Sequence, residues 1–482
     1  MIDVRPVAHV IGLVIVALGG AMAFPMALDW YAGSANWMAF LQAGLICLVA
    51  GGATALATAN ATGSGLNLPQ IFLLTVFTWV AACFFGALPF VLGAPGLGWT
   101  DALFEATSGL TTTGATVIVG LDGLPLGANL WRGMLHWLGG LGIVIIAMLF
   151  LPVMKVGGMQ FFRSEGFDTL GKVLPRALDI SSALVQIYVV LTLACALSYA
   201  ALGMGGFDAV VHALSTVSTG GFSTSDQSFA KFSGVLEYAA IVFMLAGSLP
   251  FIRFIQAWQG EWQPLWRDRQ VRAYLRWNAY AVAAIVAYEV LSHDLPVELV
   301  LRETAFNVVS VFSGTGFTSA NLSAWGAFPF AVLFITGLIG GCTSSTGCSV
   351  KVFRYLILFE AVKLQLKRLY QPNAVNMLRY EGRTVEEDVL DAVISFFTLF
   401  MLTFGVLAVA LGLAGLEFGT AITAAWTAIA NVGPAFGPEV HPTGALLAFP
   451  TAAKWIMIVG MLIGRLELLA VYVLFIPRFW RG

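Results

Sequence analysis

The chain has 482 residues, 59% hydrophobic and only 10% charged, with a mean hydropathy of +0.87. This composition is typical of a polytopic membrane protein and argues against a soluble fold. The net charge of -2 gives no sign of nucleic-acid binding. The sequence has no Walker-type Gly-Lys-Ser/Thr loop and no polar segment long enough for a nucleotide-binding domain, which argues against an ATP-driven pump.

Two apolar spans, at about 7–30 and 36–60, come first in the chain. One pattern then repeats four times: a long apolar helix, a short helix, a glycine-containing loop and a second long helix. The predicted segments are 68–93, 101–111, 112–116 and 128–154; 180–203, 207–217, 218–222 and 233–257; 274–292, 299–311, 313–317 and 326–359; and 388–415, 419–429, 430–434 and 447–476. The short helices cannot cross a hydrocarbon core of about 30 Å, so we expect each to enter the membrane and return.

This order predicts an all-α polytopic membrane protein. Four pseudo-symmetric helix–re-entrant pore loop–helix repeats would surround a central pore, and two N-terminal transmembrane helices would precede them. The period of about a hundred residues is longer than that of solenoid repeats. The predicted units are an N-terminal extension at 1–66 and pore repeats at 67–178, 179–273, 274–385 and 386–482, the third with an intramembrane gating loop.

The four loops share one register. They align on Gly114, Gly221, Gly316 and Gly433. Six residues before the glycine lies a small hydroxyl residue, namely Ser108, Ser215, Ser310 or Thr427. Thirteen residues before it lie Asp101, Asp208, Glu303 and Thr420. The acids among these have two compatible interpretations, as first-turn residues that stabilise a helix and as an acidic mouth that concentrates cations.

The loops have the composition of an ion-binding filter. Irregular backbone at membrane depth is tolerated only where it is buried in protein or lines a wet cavity. A cation that loses its water needs several carbonyl oxygens pointed at one axis, and glycine allows the positive φ that turns them inward. The predicted filter residues, which would bind K⁺, are Thr112, Thr113, Gly114, Thr219, Gly220, Gly221, Gly314, Thr315, Gly316, Asn431, Val432 and Gly433.

Basic residues test the predicted topology. All 24 Lys and Arg fall on one proposed side of the membrane except Arg132, Lys231, Arg302, Lys454 and Arg465. Because positively charged residues concentrate in the cytoplasm, both termini are predicted to be cytoplasmic and the glycine loops to face outward.

Three further motifs accompany the loops: Trp137-Leu-Gly-Gly-Leu-Gly142, Gly340-Gly-Cys-Thr-Ser-Ser-Thr-Gly347 and Gly464-Arg-Leu-Glu467. Together with the loops they resemble the Trk/Ktr/HKT superfamily of potassium transporters over essentially the whole chain. The two extra N-terminal spans resemble the bacterial Trk membrane subunit more than Ktr. The resemblance implies K⁺ uptake across the bacterial inner membrane by a homodimer, gated by a cytosolic nucleotide-binding (RCK-type) regulatory subunit, with no cofactor on this chain.

The identity of the ion follows from the same resemblance. In related plant proteins a serine in place of the first-loop glycine goes with Na⁺ preference, whereas this chain has Gly114. Each loop supplies fewer consecutive oxygens than a Thr-Val-Gly-Tyr-Gly filter, which predicts weaker selectivity for K⁺ over Na⁺. A Na⁺-permeable or Na⁺/K⁺-coupled relative is the alternative, and channel-like conduction and proton-coupled symport both fit the motifs.

A break in the third inner helix is the predicted gate. The helix is apolar from about 326 to 339 and resumes only through Lys351 and Arg354. Fourteen helical residues rise only about 21 Å, so the break lies inside the membrane. The small residues there fit close helix packing or a flexible flap that occludes the pore, and the resemblance favours the flap. The predicted gating residues are Gly340, Gly341, Thr343, Ser344, Ser345, Thr346, Gly347, Lys351 and Arg465.

Arg465 stands out as a basic residue deep in a span. A charge there costs about 2.5–3.5 kcal/mol even on the lenient insertion scale, so it needs a wet or acidic partner. Glu467 follows two residues later on another helix face and is a poor intrahelical partner. We predict a pore-facing arginine that couples to the flap; an ion pair with another helix is the alternative.

An intramembrane enzyme is the most distant alternative. It would need a cluster of His, Asp or Ser at one depth, but the five histidines fall in different units. The five cysteines lie mostly in apolar runs, which favours buried apolar side chains over a disulfide framework or a metal site. We therefore predict a transporter and not an enzyme.

Overall fold

The computed structural model describes residues 2–61, 66–161, 177–292, 295–373 and 377–481. This part of the chain is almost entirely helical; its strands are Arg379–Tyr380 and Arg383–Thr384, which form one antiparallel hairpin. Arg163, Lys172 and Arg176, which belong to the predicted cytoplasmic cations, lie outside the described residues.

The helices follow the predicted order. The N-terminal extension contains Arg5–Ala21, Ala23–Tyr31 and Trp37–Ala57. Outer helices 1 to 4 are Leu68–Gly86, Ala177–Ala201, Arg269–Ser292 and Glu387–Leu413. Pore helices 1 to 4 are Trp99–Leu110, Gly206–Val217, Val297–Ser313 and Phe418–Ala430. Inner helices 1 to 4 are Leu126–Leu149, Val235–Gly247, Ala327–Ile339 and Thr451–Arg465. Shorter helices are Leu88–Leu92, Leu151–Met154, Phe251–Trp258, Gln263–Arg267 and Leu469–Tyr472, and a longer one is Val352–Tyr370.

Six helices in the described residues are long and apolar enough to cross a membrane, or up to eight if each of two bent pairs is one span. The two chain ends lie together, because Phe479 packs on Phe72 with ring centroids 6.0 Å apart and the Asp3 carbonyl accepts a hydrogen bond from Gln70 (2.7 Å). We call this face of the molecule the terminal side and the opposite face the loop side.

The N-terminal extension packs through small residues. A Cβ added to Gly12 would lie 2.8 Å from the carbonyl oxygen of Gly51, so the two helices meet backbone to backbone. Asp29 is fully buried and accepts hydrogen bonds from Asn36 (2.7 Å) and from the Gly127 N–H (2.6 Å) at the start of inner helix 1. This carboxylate fastens the extension to the first repeat.

Two segments that the sequence predicts as continuous long helices are broken in the structure, so these predictions are wrong. The segment 233–257 breaks after Gly247 and turns by 95°, because Pro250 has no N–H to donate and the Ser248 carbonyl accepts the Cys342 N–H (2.9 Å). The segment 447–476 breaks after Arg465 and turns by 107°. Glu467 and Leu468 have φ of 62° and 36° there, which no α-helix permits.

Outer helix 3 also begins earlier than predicted, at Arg269 rather than at 274. The Asp268 carboxylate accepts the Gln270 N–H (2.8 Å) and caps this end. By contrast, inner helix 3 ends at Ile339 and the chain becomes helical again at Val352, so the break in the third inner helix lies where the sequence predicts it.

Candidate functional site

The four glycine loops meet in a closed ring. A Cβ on Gly114 would overlap the carbonyl oxygen of Gly220 in the next loop. Gly221 has the same relation to Thr315, and Gly316 to Val432. The ring closes because a Cβ on Gly433 would lie 2.8 Å from the carbonyl oxygen of Thr113. In each contact the oxygen belongs to the residue just before the next glycine, so the loops are related by an approximate fourfold rotation.

The loops share an alternating backbone. The four glycines have φ of 77° to 103°. The residues two positions earlier also have positive φ, namely Thr112 (50°), Thr219 (51°), Gly314 (83°) and Asn431 (52°), and the residues between them do not. Successive carbonyls of an ordinary extended chain point to opposite sides, whereas alternating left-handed residues turn them to one side. Non-glycine residues in this conformation cost on the order of 1–3 kcal/mol each, so the surroundings must hold them.

The carbonyl oxygens of the ring are free of conventional donors. Within the described ranges, no N–H or hydroxyl donates a hydrogen bond to the carbonyl oxygens of Thr113, Gly220, Thr315 or Val432. In each loop one N–H group donates instead to the carbonyl of the residue six positions before the glycine, as in the bonds from Thr113 to Ser108 (2.9 Å) and from Gly220 to Ser215 (2.8 Å). The hydroxyl-bearing residues six positions before each glycine therefore anchor the loops through their main chain.

A second set of polar side chains, which the sequence analysis missed, fixes the exit of each loop. It comprises Glu105, His212, Asn307 and Thr423, nine residues before the glycine in three repeats and ten in the fourth. They bond Thr116 Oγ1 (2.9 Å), Ser223 Oγ (3.0 Å), Ser319 Oγ (3.0 Å) and the Phe436 N–H (3.0 Å), respectively. Alignment on the glycines would have revealed their common spacing.

Glu105 also forms a buried ion pair. Its carboxylate lies 2.8 Å from Arg132 Nε, and both side chains are at most 1% exposed. Arg132 donates to the Ser223 carbonyl (2.7 Å) and lies over the Phe222 ring, 4.1 Å from its centroid. The pair therefore ties the first loop to the second.

A cavity of about 80 Å³ lies on the loop side of the ring, and its lining includes all four filter glycines, Arg132 and Asp226. The predicted acidic residues do not line it. Asp101 pairs with Lys454 (2.7 Å), and Asp208 accepts a hydrogen bond from Thr224 (2.7 Å). Among the described residues that line the cavity, the acidic one is Asp226, which the sequence analysis did not single out.

The chain between inner helix 3 and Val352, residues 340–351, crosses directly beneath the ring. Thr346 Oγ1 accepts from Thr219 Oγ1 (3.2 Å), and Cys348 Sγ lies 3.6 Å from Thr112 Oγ1. A Cβ on Gly314 would lie 3.4 Å from the Cys348 nitrogen. From the terminal side, the 340–351 segment therefore contacts a predicted filter residue in each of three loops: Thr112, Thr219 and Gly314.

The other predicted gating residues hold this segment in place. Gly340 has φ of 79° and a Cβ there would overlap the Cys348 carbonyl, while Gly341 and Gly347 pack against each other. Thr343 N–H donates to Gln270 Oε1 (3.0 Å). The Ser344 carbonyl accepts the Phe251 N–H (2.9 Å), and Ser345 Oγ donates to the Cys342 carbonyl (2.6 Å).

Arg465 reaches the segment from inner helix 4. Its Nη1 donates to the Thr346 carbonyl (3.1 Å) and to Cys348 Sγ, and the residue is 4% exposed. Its Nε and Nη2 have no hydrogen-bond partner in the described protein, and no described carboxylate lies within ion-pair distance. Arg465 therefore contacts the 340–351 segment, and the described residues give it no ion pair with another helix; its coupling to a moving flap stays a prediction.

Glu467 pairs across the molecule with the end of the segment. It lies 2.9 Å from Lys351 Nζ and contacts Arg354 Nη2, and all three side chains are buried. Arg354 Nε also donates to the Gly157 carbonyl beyond inner helix 1 (2.9 Å). Arg465 is therefore one of several buried cations beneath the ring, and the ion pairs of Glu467, with the hydrogen bond of Arg354, join the parts of the chain that follow inner helices 1, 3 and 4.

Comparison with known proteins identifies relatives along the whole chain. Residues 36–481 match the family model TrkH, described as a cation transport protein. The Trk system potassium uptake protein TrkI of Halomonas elongata is 42% identical over 414 residues, 86% of this chain and 84% of that protein. TrkH of Escherichia coli K12 is 35% identical over 99% of both chains. The crystal structure of the potassium transporter TrkH from Vibrio parahaemolyticus superposes with a TM-score of 0.92 at 31% identity, covering 99% of this chain and 100% of that chain.

Proposed function

Because the chain belongs to the TrkH family of cation transport proteins, we propose that it takes up K⁺ through the ring of four glycine loops. The observation that carries this proposal is the closed set of contacts in which each glycine meets a carbonyl oxygen of the next loop. Relatives at 42% and 35% identity are potassium uptake proteins, which supports K⁺ as the ion.

The ring supplies the chemistry that a dehydrated K⁺ needs. Carbonyl oxygens without protein donors can replace the hydration shell. Each pore helix ends immediately before its loop, at Leu110, Val217, Ser313 or Ala430. A helix C-terminus carries roughly half a negative charge, so four of them around one site favour a cation. The proposed ion-binding residues are the predicted filter residues of all four loops, which include Thr112, Thr113, Gly114 and Asn431.

The 340–351 segment is the proposed gate. It lies against the filter from below and connects two helices, so its displacement would open a path from the ring to the terminal side. Arg465 holds its Thr346 carbonyl, and Glu467 holds Lys351 at its end. An arginine with two unpartnered nitrogens just beneath the ring also places positive charge on the ion path, which opposes cation passage while the gate is closed.

The remaining proposals concern the setting. We place the protein in the bacterial inner membrane with both termini in the cytoplasm, so that the terminal side is cytoplasmic. A homodimer and a cytosolic nucleotide-binding ring subunit that moves the gate follow from the family resemblance.

Transport assays test the function. We expect expression of the chain to restore growth of a K⁺-uptake-deficient bacterium at low K⁺, and purified protein in liposomes to take up Rb⁺ faster than Na⁺. Uptake of Na⁺ at a rate equal to that of Rb⁺ would replace the proposal with a Na⁺-permeable transporter. Comparison with and without a pH gradient separates symport from channel-like conduction.

A further inference from the structure

A ledge of two short helices projects from the second repeat at the terminal side. Helix Phe251–Trp258 leaves inner helix 2 at 95°, and helix Gln263–Arg267 follows it. A helix at a right angle to a membrane-crossing helix runs along the membrane plane. We call residues 251–267 the interfacial ledge.

The outer surface of the ledge is aromatic. Trp258, Trp262 and Trp266 are 70%, 59% and 63% exposed. Exposed tryptophans are enriched at the level of lipid headgroups, where the ring is partly in the acyl region and its N–H is in the polar layer. The three side chains therefore place the ledge at the membrane–water interface.

Between the ledge and outer helix 3 lies a cavity of about 310 Å³. It is lined by Arg253, Pro264, Arg267, Asp268, Arg269, Arg272 and Glu381. Four of these side chains are cationic and two are anionic, so the lining carries an excess of positive charge.

The pairing of these charges identifies the available cations. Arg253 is bound to Asp268 (2.8 Å), and Arg269 is bound to Glu360 (3.0 Å). Arg267 and Arg272 are exposed and have no carboxylate within ion-pair distance among the described residues. Arg272 donates to the main-chain carbonyl of Arg267 (3.0 Å), which holds the Arg272 guanidinium beside the chain that carries Arg267.

We propose that this cavity binds the phosphate of an anionic phospholipid headgroup. Two unpaired guanidinium groups present fork-shaped donors that match phosphate oxygens. The exposed tryptophans place the cavity at the depth where lipid phosphates lie, and basic pockets on the cytoplasmic side of membrane proteins favour anionic lipids. A soluble acidic partner would not require the aromatic surface.

The site is connected to the proposed gate. The Phe251 N–H at the start of the ledge donates to the Ser344 carbonyl (2.9 Å). Gln270, next to Arg269, accepts the Thr343 N–H (3.0 Å). A lipid that holds the ledge to outer helix 3 would thus steady two consecutive residues of the 340–351 segment and favour the closed gate; this regulatory consequence rests on the proposed function, whereas lipid binding does not.

Native mass spectrometry of the full-length protein in detergent tests the binding. The protein is titrated with phosphatidylglycerol, with phosphatidylcholine or with glycerol phosphate. Arg267→Gln/Arg272→Gln is compared with Lys363→Gln/Arg368→Gln, which removes the same charge from exposed residues outside the cavity. At about 1 kcal/mol per arginine near an anionic headgroup, we expect the first double variant to bind phosphatidylglycerol roughly 30-fold more weakly. The control should bind it as the wild type does.

Several results would overturn the assignment. Equal loss in both double variants would mean that general positive charge attracts the lipid, and equal binding of phosphatidylcholine would mean that the aromatic surface suffices. Glycerol phosphate binding as tightly as phosphatidylglycerol would identify a soluble phosphate ligand. Unchanged lipid binding with loss of a co-purifying cytosolic subunit would make the cavity a protein-docking site. Because added salt screens exposed charges, phosphatidylglycerol binding to the wild type must also weaken with salt.

A flux measurement separates the regulatory consequence from the function. In liposomes containing phosphatidylglycerol, Arg267→Gln/Arg272→Gln should raise basal Rb⁺ flux above that of the control variant. Loss of lipid binding with unchanged flux would refute the coupling to the gate. Absence of Rb⁺ flux in every protein, wild type included, would instead refute the proposed function.

Discussion

The four loops and the four inner helices come from the same repeats, yet the loops are nearly equivalent and the helices are not. Every loop has its glycine at positive φ and meets the next loop in the same way. Inner helix 1 is continuous from Leu126 to Leu149, whereas the second turns by 95°, the third is interrupted at 340–351 and the fourth turns by 107°. The proposed ion-binding ring would require equivalent walls, whereas the proposed gate would require parts that differ.

The two regions also differ in chemistry. The ring is built from neutral main-chain groups, whereas the region beneath it buries Lys351, Arg354, Arg465 and Glu467. A buried charge is costly unless paired. The charged region therefore depends on particular partners, while the ring depends on close backbone contact, and the two should respond to different substitutions.

Gly316→Ala should have the largest effect. Its Cβ would overlap the Val432 carbonyl oxygen, so the ring must open and K⁺ uptake should fall to the background of the host. Gly33→Ala is the matched control, because Gly33 has a similar φ of 72° but open space around it. Both variants carry strain of about 1–2 kcal/mol, so uptake lost equally in both would show that strain and not ring geometry matters.

Glu467→Gln should chiefly destabilise the lower region. It leaves Lys351 and Arg354 buried without a carboxylate, which should lower the free energy of unfolding by about 3–5 kcal/mol. Glu298→Gln removes a carboxylate that is 68% exposed and should cost about 0–1 kcal/mol. Thermal unfolding of the purified variants measures the difference, and similar melting temperatures would mean that water or other groups replace Glu467.

Arg465→Ala should leave the ring intact and loosen the segment beneath it. Loss of the bond to the Thr346 carbonyl should raise basal K⁺ flux several-fold without the cytosolic partner. Arg478→Ala, an exposed cation near the chain end, should leave flux unchanged. Wild-type flux and normal control by the partner in Arg465→Ala would remove Arg465 from the gate.

The smallest effect concerns the loop side. The pKa of Asp122 lies below its ordinary value. Partial burial alone would raise this pKa, but the hydrogen bonds from Lys231, the Asp226 N–H and Ser225, together with the Lys231 charge, lower it by more. A lowered folded-state pKa stabilises the protein above the unfolded value of about 3.9, and this contribution is lost as the pH falls through the folded value. Asp122→Asn should therefore cost about 0–1 kcal/mol at neutral pH and nothing well below pH 4. Melting curves at the two pH values check this; an equal cost at both would show that charge is not involved.

Much of the loop side could be predicted from the sequence. The position of each glycine loop and the hydroxyl residue six positions earlier follow from local requirements, because a short chain inside a membrane can only end a helix, turn and return. The second set, Glu105, His212, Asn307 and Thr423, has a nearly regular spacing that alignment on the glycines reveals, but its side chains differ, so their shared contact with the loop exits shows only when the four exits are compared in space.

The terminal side could be predicted only in part. The break at 340–351 follows from its small polar residues, but the bends after Gly247 and Arg465 do not, since the hydropathy of both stretches continues through them. Glu467 lies near Arg465 in sequence, yet it pairs with Lys351 and Arg354 more than a hundred residues away. Such partners depend on which helices the fold brings together.

The sequence by itself determined the membrane class, the number of glycine loops and their register, because hydropathy and glycine conformation act over a few neighbouring residues. Only the tertiary structure decided which carbonyl each glycine meets, which charges pair beneath the ring and where the inner helices bend. Those outcomes depend on contacts between distant repeats, and apolar residues that face lipid look the same in sequence as those that face protein.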